Sequence, residues 1–225
     1  MMKSLVRRLQ TLSSSSSSSS RRRSLTADEV AQINLLLPRL CLSSDRRHLA
    51  TATKLATAAL LTNPPPNSLS LSPLLLSLAS LPSSDTSLPM SLLTRLRHSH
   101  SPHLLPSATA LAASYFRAAH PKLAFKLFNW VVRPGSNVVV DRRLCAVLVG
   151  GFCRNGMVLE SLKVLRAFVS SNDGAPRGGG ELGRLVCRGL LREARVWEAA
   201  ELSQALDGRD EVSQVLDRII ENWTE

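Results

Sequence analysis

No run of about 18 apolar residues occurs in the chain; the longest clean stretch is ten residues, 144–153. A membrane-spanning helix is therefore not expected. No C-x-x-C pair occurs either, and Cys41, Cys145, Cys153 and Cys187 are widely spaced. That excludes a disulfide framework or a zinc knuckle and makes a reducing compartment the simpler reading. Aromatic residues make up only 4% of the 225 residues, and no acidic residue precedes Asp28. The length fits one domain with a tail and a modest core, not a large multidomain enzyme. No Ser/His/Asp or paired-carboxylate arrangement emerges, so no enzymatic activity, cofactor or small-molecule substrate is expected.

The net charge is +11, and it is uneven. Residues 1–106 hold 12 basic and 4 acidic residues, whereas residues 107–225 hold 16 and 13. The pI alone would thus overstate nucleic-acid binding by the second half. Residues 1–25 contain six basic residues, a long serine run and no acid. Leu5, Val6 and Leu9 can share one helical face beside Arg7 and Arg8. This is the composition of an organellar transit peptide, with a disordered polar tail as the alternative. Arginines within the first ten residues point to mitochondria; the serine run keeps the chloroplast open.

Thr26-Ala27-Asp28-Glu29 reads as a capping box opening a helix that stops near Pro38. Ser44 can cap a second helix over about 45–61, ended by Asn63-Pro64-Pro65-Pro66. Residues 67–106 are rich in Leu, Ser and Pro. Short helices are predicted over 73–80 and 89–98, in either a degenerate helical hairpin or a linker. From residue 107 the pattern predicts helices over 107–118, 121–132, 142–153, 157–169, 181–193, 196–206 and 209–222, with a long loop over 170–180. No convincing strand appears, and the fold class expected is all-α.

Three segments align without gaps: LAASYFRAAHPKLAFKLF (111–128), LVGGFCRNGMVLESLKVL (148–165) and VCRGLLREARVWEAAELS (186–203). Tyr115, Phe152 and Leu190 correspond, as do Arg117, Arg154 and Arg192. Ala124, Ser161 and Ala199 are small where two helices must approach; Leu127, Val164 and Leu202 follow on one face. A helix–turn–helix unit cannot bury its apolar faces alone, and stacking the next unit covers them. The architecture expected is an α-solenoid of stacked helix-turn-helix repeats behind a disordered N-terminal targeting segment. Repeats would fall at about 105–141, 142–179 and 180–208, and residues 209–225 would form a helix capping the stack.

The second segment, with its G-F-C-R-N-G turn and following E-S-L-K-V-L, resembles the pentatricopeptide repeat family, as a short P-type-like member of plant organelles. The first and third segments match less well, and spacings of 37 and 38 depart from the family's usual 35. The tetratricopeptide family competes, but its tryptophan, glycine and tyrosine pattern is absent. The resemblance implies binding of single-stranded RNA, one base per repeat. On its frame the base-facing positions are Thr109 with Asp141, which resembles a guanine-selecting pair; Ala146 with Gly179, which offers no side-chain hydrogen bond; and Arg184, which could hold a phosphate. The deaminase-like tail of some relatives is not expected.

Arg117, Arg154 and Arg192 recur at first-helix ends, where a cation also complements the helix dipole, so a structural role stands beside an RNA-binding one. Stacking supplies roughly 1–3 kcal/mol per base, so three units cannot specify one site in a transcriptome. The expected partners are single-stranded organellar RNA together with other RNA-processing proteins. The role expected is accessory: processing, splicing or stability. A protein–protein adaptor using the groove is the alternative reading, and a remnant of a longer repeat protein is a third.

Other patterns carry less. His98, His100 and His103 lack further ligands for a metal. Residues 178–183 formally satisfy G-x-G-x-x-G, but no strand precedes them. Trp130, Trp197 and Trp223 fall near helix ends as staples between hairpins, though an exposed one could stack a base.

Overall fold

The structure is a computed structural model. It describes residues 25–224 apart from 44, 63–65, 67, 83–84, 134–137, 172–175 and 208–211. The transit-peptide reading of 1–25, the Ser44 cap and most of the proline break at 63–66 thus lie outside the described residues. The described residues form eleven α-helices and no strand. The chain divides into two compact units, the first ending at Ala110 and the second beginning at Leu111.

The first unit opens with α1 (Ala27–Leu42). The capping box is formed: the Thr26 hydroxyl accepts from the Glu29 amide at 3.2 Å, and the Glu29 carboxylate accepts from the Thr26 amide at 2.9 Å. The expected stop at Pro38 does not occur, and α1 runs through the proline to Leu42. An interior proline costs about 3 kcal/mol through its lost bond and its clash one turn back. Burial on both sides offsets this: Ile33 and Leu37 are fully buried, and Leu40 and Cys41 are half-buried beyond the proline. Asn34 ties α1 to the segment that follows α2, donating to the Ser68 carbonyl and accepting from the Ser70 amide, both at 2.8 Å.

Asp45 caps α2 (Arg46–Leu60), accepting from the Arg47 amide at 2.9 Å. Next come α3 (Ser72–Ala79) and α4 (Ser87–His98). The leucine-rich segment is thus helical. α2 is central, packed against α1, α3 and α4. Small residues on several faces let its neighbours approach: Ala52, Thr53, Ala56, Thr57 and Ala59 are all buried. The two threonine hydroxyls donate one turn back, to the Leu49 and Thr53 carbonyls, so both find an acceptor within the helix.

α5 (Leu104–Arg117) carries the chain across the boundary between the units. Then follow α6 (Pro121–Val132), α7 (Arg142–Arg154), α8 (Val158–Ser171), α9 (Pro176–Arg192), α10 (Val196–Asp207) and α11 (Val212–Thr224). The long loop expected over 170–180 is shorter than that, because α9 begins at Pro176 and takes in the glycines at 178–180. Proline at a first helical position needs no amide partner, which suits it to this start.

Three turns in this part share one geometry. Ala119, Gly156 and Ala194 have φ of 58°, 69° and 59°. In each, the next amide reaches back five residues: His120 to the Tyr115 carbonyl at 2.9 Å, Met157 to Phe152 at 3.0 Å, and Arg195 to Leu190 at 2.9 Å. This is the left-handed closing turn that satisfies orphan carbonyls at a helix end. Two of the three pivots are alanine, which bears the steric cost that Gly156 avoids. The residues aligned in sequence also share one environment. Tyr115, Phe152 and Leu190 are buried, as are Ala124, Ser161 and Ala199 and then Leu127, Val164 and Leu202.

Within the second unit α7 packs on α8 and α9, α9 on α8 and α10, and α6 on α7 and α8. The scarce aromatics gather here. Phe152 receives Phe116 edge-on at 5.2 Å and Phe125 at 6.0 Å, and Phe128 stacks on Phe125 at 6.2 Å. α11 packs across α8 and α10, burying Val215, Leu216 and Ile219. Arg166 on α8 grips Asp217 through two hydrogen bonds of 2.6 and 2.8 Å, and Glu201 on α10 pairs with Arg218.

Candidate nucleic-acid interface

The exposed faces of α7 and α9 follow from helical periodicity. On α7 the exposed positions include Arg142, Arg143, Ala146 and Arg154; on α9 they include Glu181, Arg184, Leu185, Arg188, Leu191 and Arg192. The opposite faces are spent in packing: Leu144, Leu148 and Phe152 on α7, and Leu182, Val186 and Leu190 on α9, are buried. The arginines therefore project away from the apolar core because the leucines and valines point into it.

Charge is segregated by layer. α7 and α9 together carry seven arginines and one acid, Glu181. α10 and α11 together carry one base, Arg218, and five acids. Glu181 is paired with Arg142, which bridges α7 to α9. Among the described residues no acid pairs with Arg143, Arg154, Arg184, Arg188 or Arg192. Five unneutralised guanidiniums thus lie on one exposed face of two packed helices. Planar guanidinium forks suit phosphate oxygens, which they can bind bidentately.

Of the residues singled out from sequence, Arg154 and Arg192 come together. They end α7 and α9, and both act on the Cys153 thiol between them. Burial pushes that thiol up, against a hydrogen bond with Ser161 and the two positive charges. Arg117 ends α5 and donates to the Ser114 hydroxyl at 3.2 Å. Its neighbour Phe116 touches α7 at Gly151, so the three arginines follow one row of helix ends. Arg184 is exposed in the middle of the α9 face.

Thr109 and Asp141 have local work. The Thr109 hydroxyl donates to the Leu105 carbonyl at 2.8 Å. Asp141 is the N-cap of α7, its carboxylate accepting from the Leu144 amide at 2.8 Å. Burial, reinforced by the Asp141 charge, pushes the neighbouring Cys145 thiol up to about 12. Ala146 is exposed, and Gly179 belongs to the first turns of α9. Arg143 and Arg188 were missed by reading the repeat frame alone. Arg184, Arg188 and Arg192 recur every fourth residue, which already places them on one helical face.

The tryptophans differ in setting. Trp130 has the Arg133 guanidinium 5.6 Å from its ring centroid, and Trp223 has that of Arg195 at 3.8 Å. Trp197 is exposed at the start of α10. Among the described residues no three His, Cys, Asp or Glu side chains gather as a metal site, and no helix is long and apolar enough to cross a membrane. No family model matches the chain, and no curated protein or solved structure matches it.

Proposed function

We propose that this chain is a non-catalytic, single-stranded RNA-binding accessory factor in organellar RNA processing, splicing or stability. In this reading the three helical pairs are repeats of a short α-solenoid of pentatricopeptide type, and residues 1–25 direct the protein to mitochondria, with the chloroplast as the alternative. The observation that carries it is the charge segregation. Five arginines without an acidic partner among the described residues share one face of α7 and α9, while the acids collect on α10 and α11. A phosphate chain laid along that face would release counterions from each contact. Its affinity should fall with log[salt] at a slope of about −0.7 per phosphate neutralised.

The test is binding of a fluorescein-labelled 12-nucleotide oligouridine between 50 and 300 mM salt, beside an Arg184→Glu/Arg188→Glu variant. Submicromolar binding with a slope near −3 or steeper, lost in the variant, supports the reading. Absence of salt-dependent binding by the unaltered protein would sink it. The adaptor reading is favoured by one observation, the lack of hydrogen-bonding side chains at Ala146 and Gly179. A protein partner in the groove would bind with little salt dependence.

A further inference from the structure

Each first helix of the second unit meets its predecessor through a glycine. A Cβ on Gly151 of α7 would stand 2.3 Å from the ring of Phe116 at the end of α5. A Cβ on Gly189 of α9 would stand 3.2 Å from both Cys153 Sγ, at the end of α7, and a methyl of Val158, at the start of α8. The two contacts occupy the same place: Gly151 and Gly189 are 38 residues apart, and Phe116 and Cys153 are 37 apart. One step further, Cys153 corresponds to Leu191 and Val158 to Val196. Under α9, Cys153 and Val158 are 9% and 2% exposed, whereas Leu191 and Val196 are 52% and 62% exposed. Trp197 beside them is 81% exposed. Among the described residues α11 packs on α8 and α10 but not on α9; its Trp223 reaches Arg195 in the turn between α9 and α10 and leaves Leu191, Val196 and Trp197 exposed.

We infer that Leu191, Val196 and Trp197 form a docking face for an α-helix of a partner protein, carrying glycine or alanine at the crossing point and acidic residues beside it. The small-residue requirement continues the internal interface, in which the two aligned positions Gly151 and Gly189 carry no side chain where they meet the preceding helix. The acidic requirement follows from charge. Arg188 and Arg192 flank the patch without an acidic partner among the described residues, and the exposed Glu193 in the same turn offsets only one of them, so the edge is net positive. Residues 1–25, with six basic residues and no acid, would be repelled from it. A second copy docking through the same face would bring its own arginines against these. The patch borders the basic face, but its apolar contact uses none of the five arginines. Arg154 stays exposed although α9 packs beside α7, so its counterpart Arg192 stays exposed when the next helix arrives. The docking face is carried by the exposure of Leu191, Val196 and Trp197, so it does not rest on the RNA reading.

The experiment places a photo-crosslinking amino acid at Val196 of the full chain in cells, with Ser203, exposed on α10, as control position. After ribonuclease treatment the crosslinked peptide is sequenced. The result expected is a protein adduct at 196 and not at 203, through a helical segment with a glycine or alanine and flanking acids. The adduct should fall at least tenfold in Leu191→Asp and in Trp197→Asp, two exposed positions whose variants should melt like the unaltered protein. An adduct only to a second copy, to residues 1–25 or to RNA overturns the inference. So does a partner segment without a small residue at the crossing, an adduct undiminished in both variants, or no adduct above the Ser203 control.

Discussion

The ring of Phe116 occupies the space that a side chain at Gly151 would need, 2.3 Å from an ideal Cβ. The ring cannot easily swing aside, because Phe152 holds it edge-on at 5.2 Å. Alanine at 151 gains about 1 kcal/mol of helix propensity over glycine, but overpacking costs about 1–3 kcal/mol, and the overlap here is deep. Gly151→Ala should therefore lower the melting temperature by about 2–6 °C. Gly150→Ala is the control. Its nearest neighbour is the far end of Arg154 at 3.9 Å, so it should be neutral or raise the midpoint. Equal effects at both positions would show that the Phe116 contact does not limit the site.

Asp217 makes the attachment of α11 pH-dependent. Its carboxyl is held below the usual carboxylate range, first by the hydrogen bonds from Arg166 and further by that charge, against a desolvation that raises it. The unfolded chain, titrating near ~3.9, then takes up this proton before the folded one does. The stabilisation is complete above about pH 4 and is lost as pH falls through the depressed folded value. The carboxylate is about half exposed, so the contribution is about 0.2–1 kcal/mol. Amide exchange in α11 should be faster in Asp217→Asn than in the unaltered protein at pH 7. After correction for intrinsic rates, that difference should be smaller at about pH 3, where the unfolded chain has taken up the proton. A difference of the same size at both pH values would place the effect elsewhere.

The four cysteines should separate by burial. Cys145 is fully buried and its thiol is pushed up to about 12, so almost no thiolate exists at pH 8. It should react with Ellman's reagent only at the rate of unfolding. Cys41 and Cys187 are half-buried, with thiols raised chiefly by burial, and should react first. Mass mapping of partly labelled protein gives the order. Early labelling of Cys145 would mean that α7 opens locally.

The all-helical character of the described residues was legible, because each helical pair is punctuated by a cap or a turn residue that periodicity alone can find. The capping box of Thr26 and Glu29 and the turn at Gly156 are local in origin, so a single sequence contains them. Pro38 was misread for the opposite reason. Its tolerance depends on burial of Leu37 on one side and partial burial of Leu40 and Cys41 on the other, which no window around the proline reports. The helices expected to open at Pro73 and Pro89 open slightly earlier, α3 at Ser72 and α4 at Ser87. At the candidate interface the aligned arginines were visible because they repeat. Arg143 was not, because its aligned counterpart is Glu181 and the charge it leaves unopposed depends on Arg142 reaching across to that acid.

Asp141 offers the sharpest separation of base reading from architecture. Its carboxylate accepts from the Leu144 amide at 2.8 Å and so caps α7, the helix that carries two of the five unpaired arginines. Asp141→Ala removes the acceptor and should cost about 1 kcal/mol, which would weaken RNA binding through the scaffold even if no base is touched. Asp141→Ser keeps an acceptor at the cap and removes the charge. If Asp141 acts only as a cap, Asp141→Ser should melt within a degree or two of the unaltered protein. It should then bind 12-nucleotide runs of uridine and of a guanosine-containing repeat in the same ratio. It should also bind both slightly more tightly, because one negative charge near the phosphates is gone. If Asp141 selects guanine with Thr109, the ratio should fall by about five- to tenfold in Asp141→Ser while the melting temperature holds, since only a lost base contact moves preference without moving stability. The N-cap geometry favours the first outcome: the carboxylate is spent on an amide of its own helix, and the charge on the face beside it is the kind that grips phosphate.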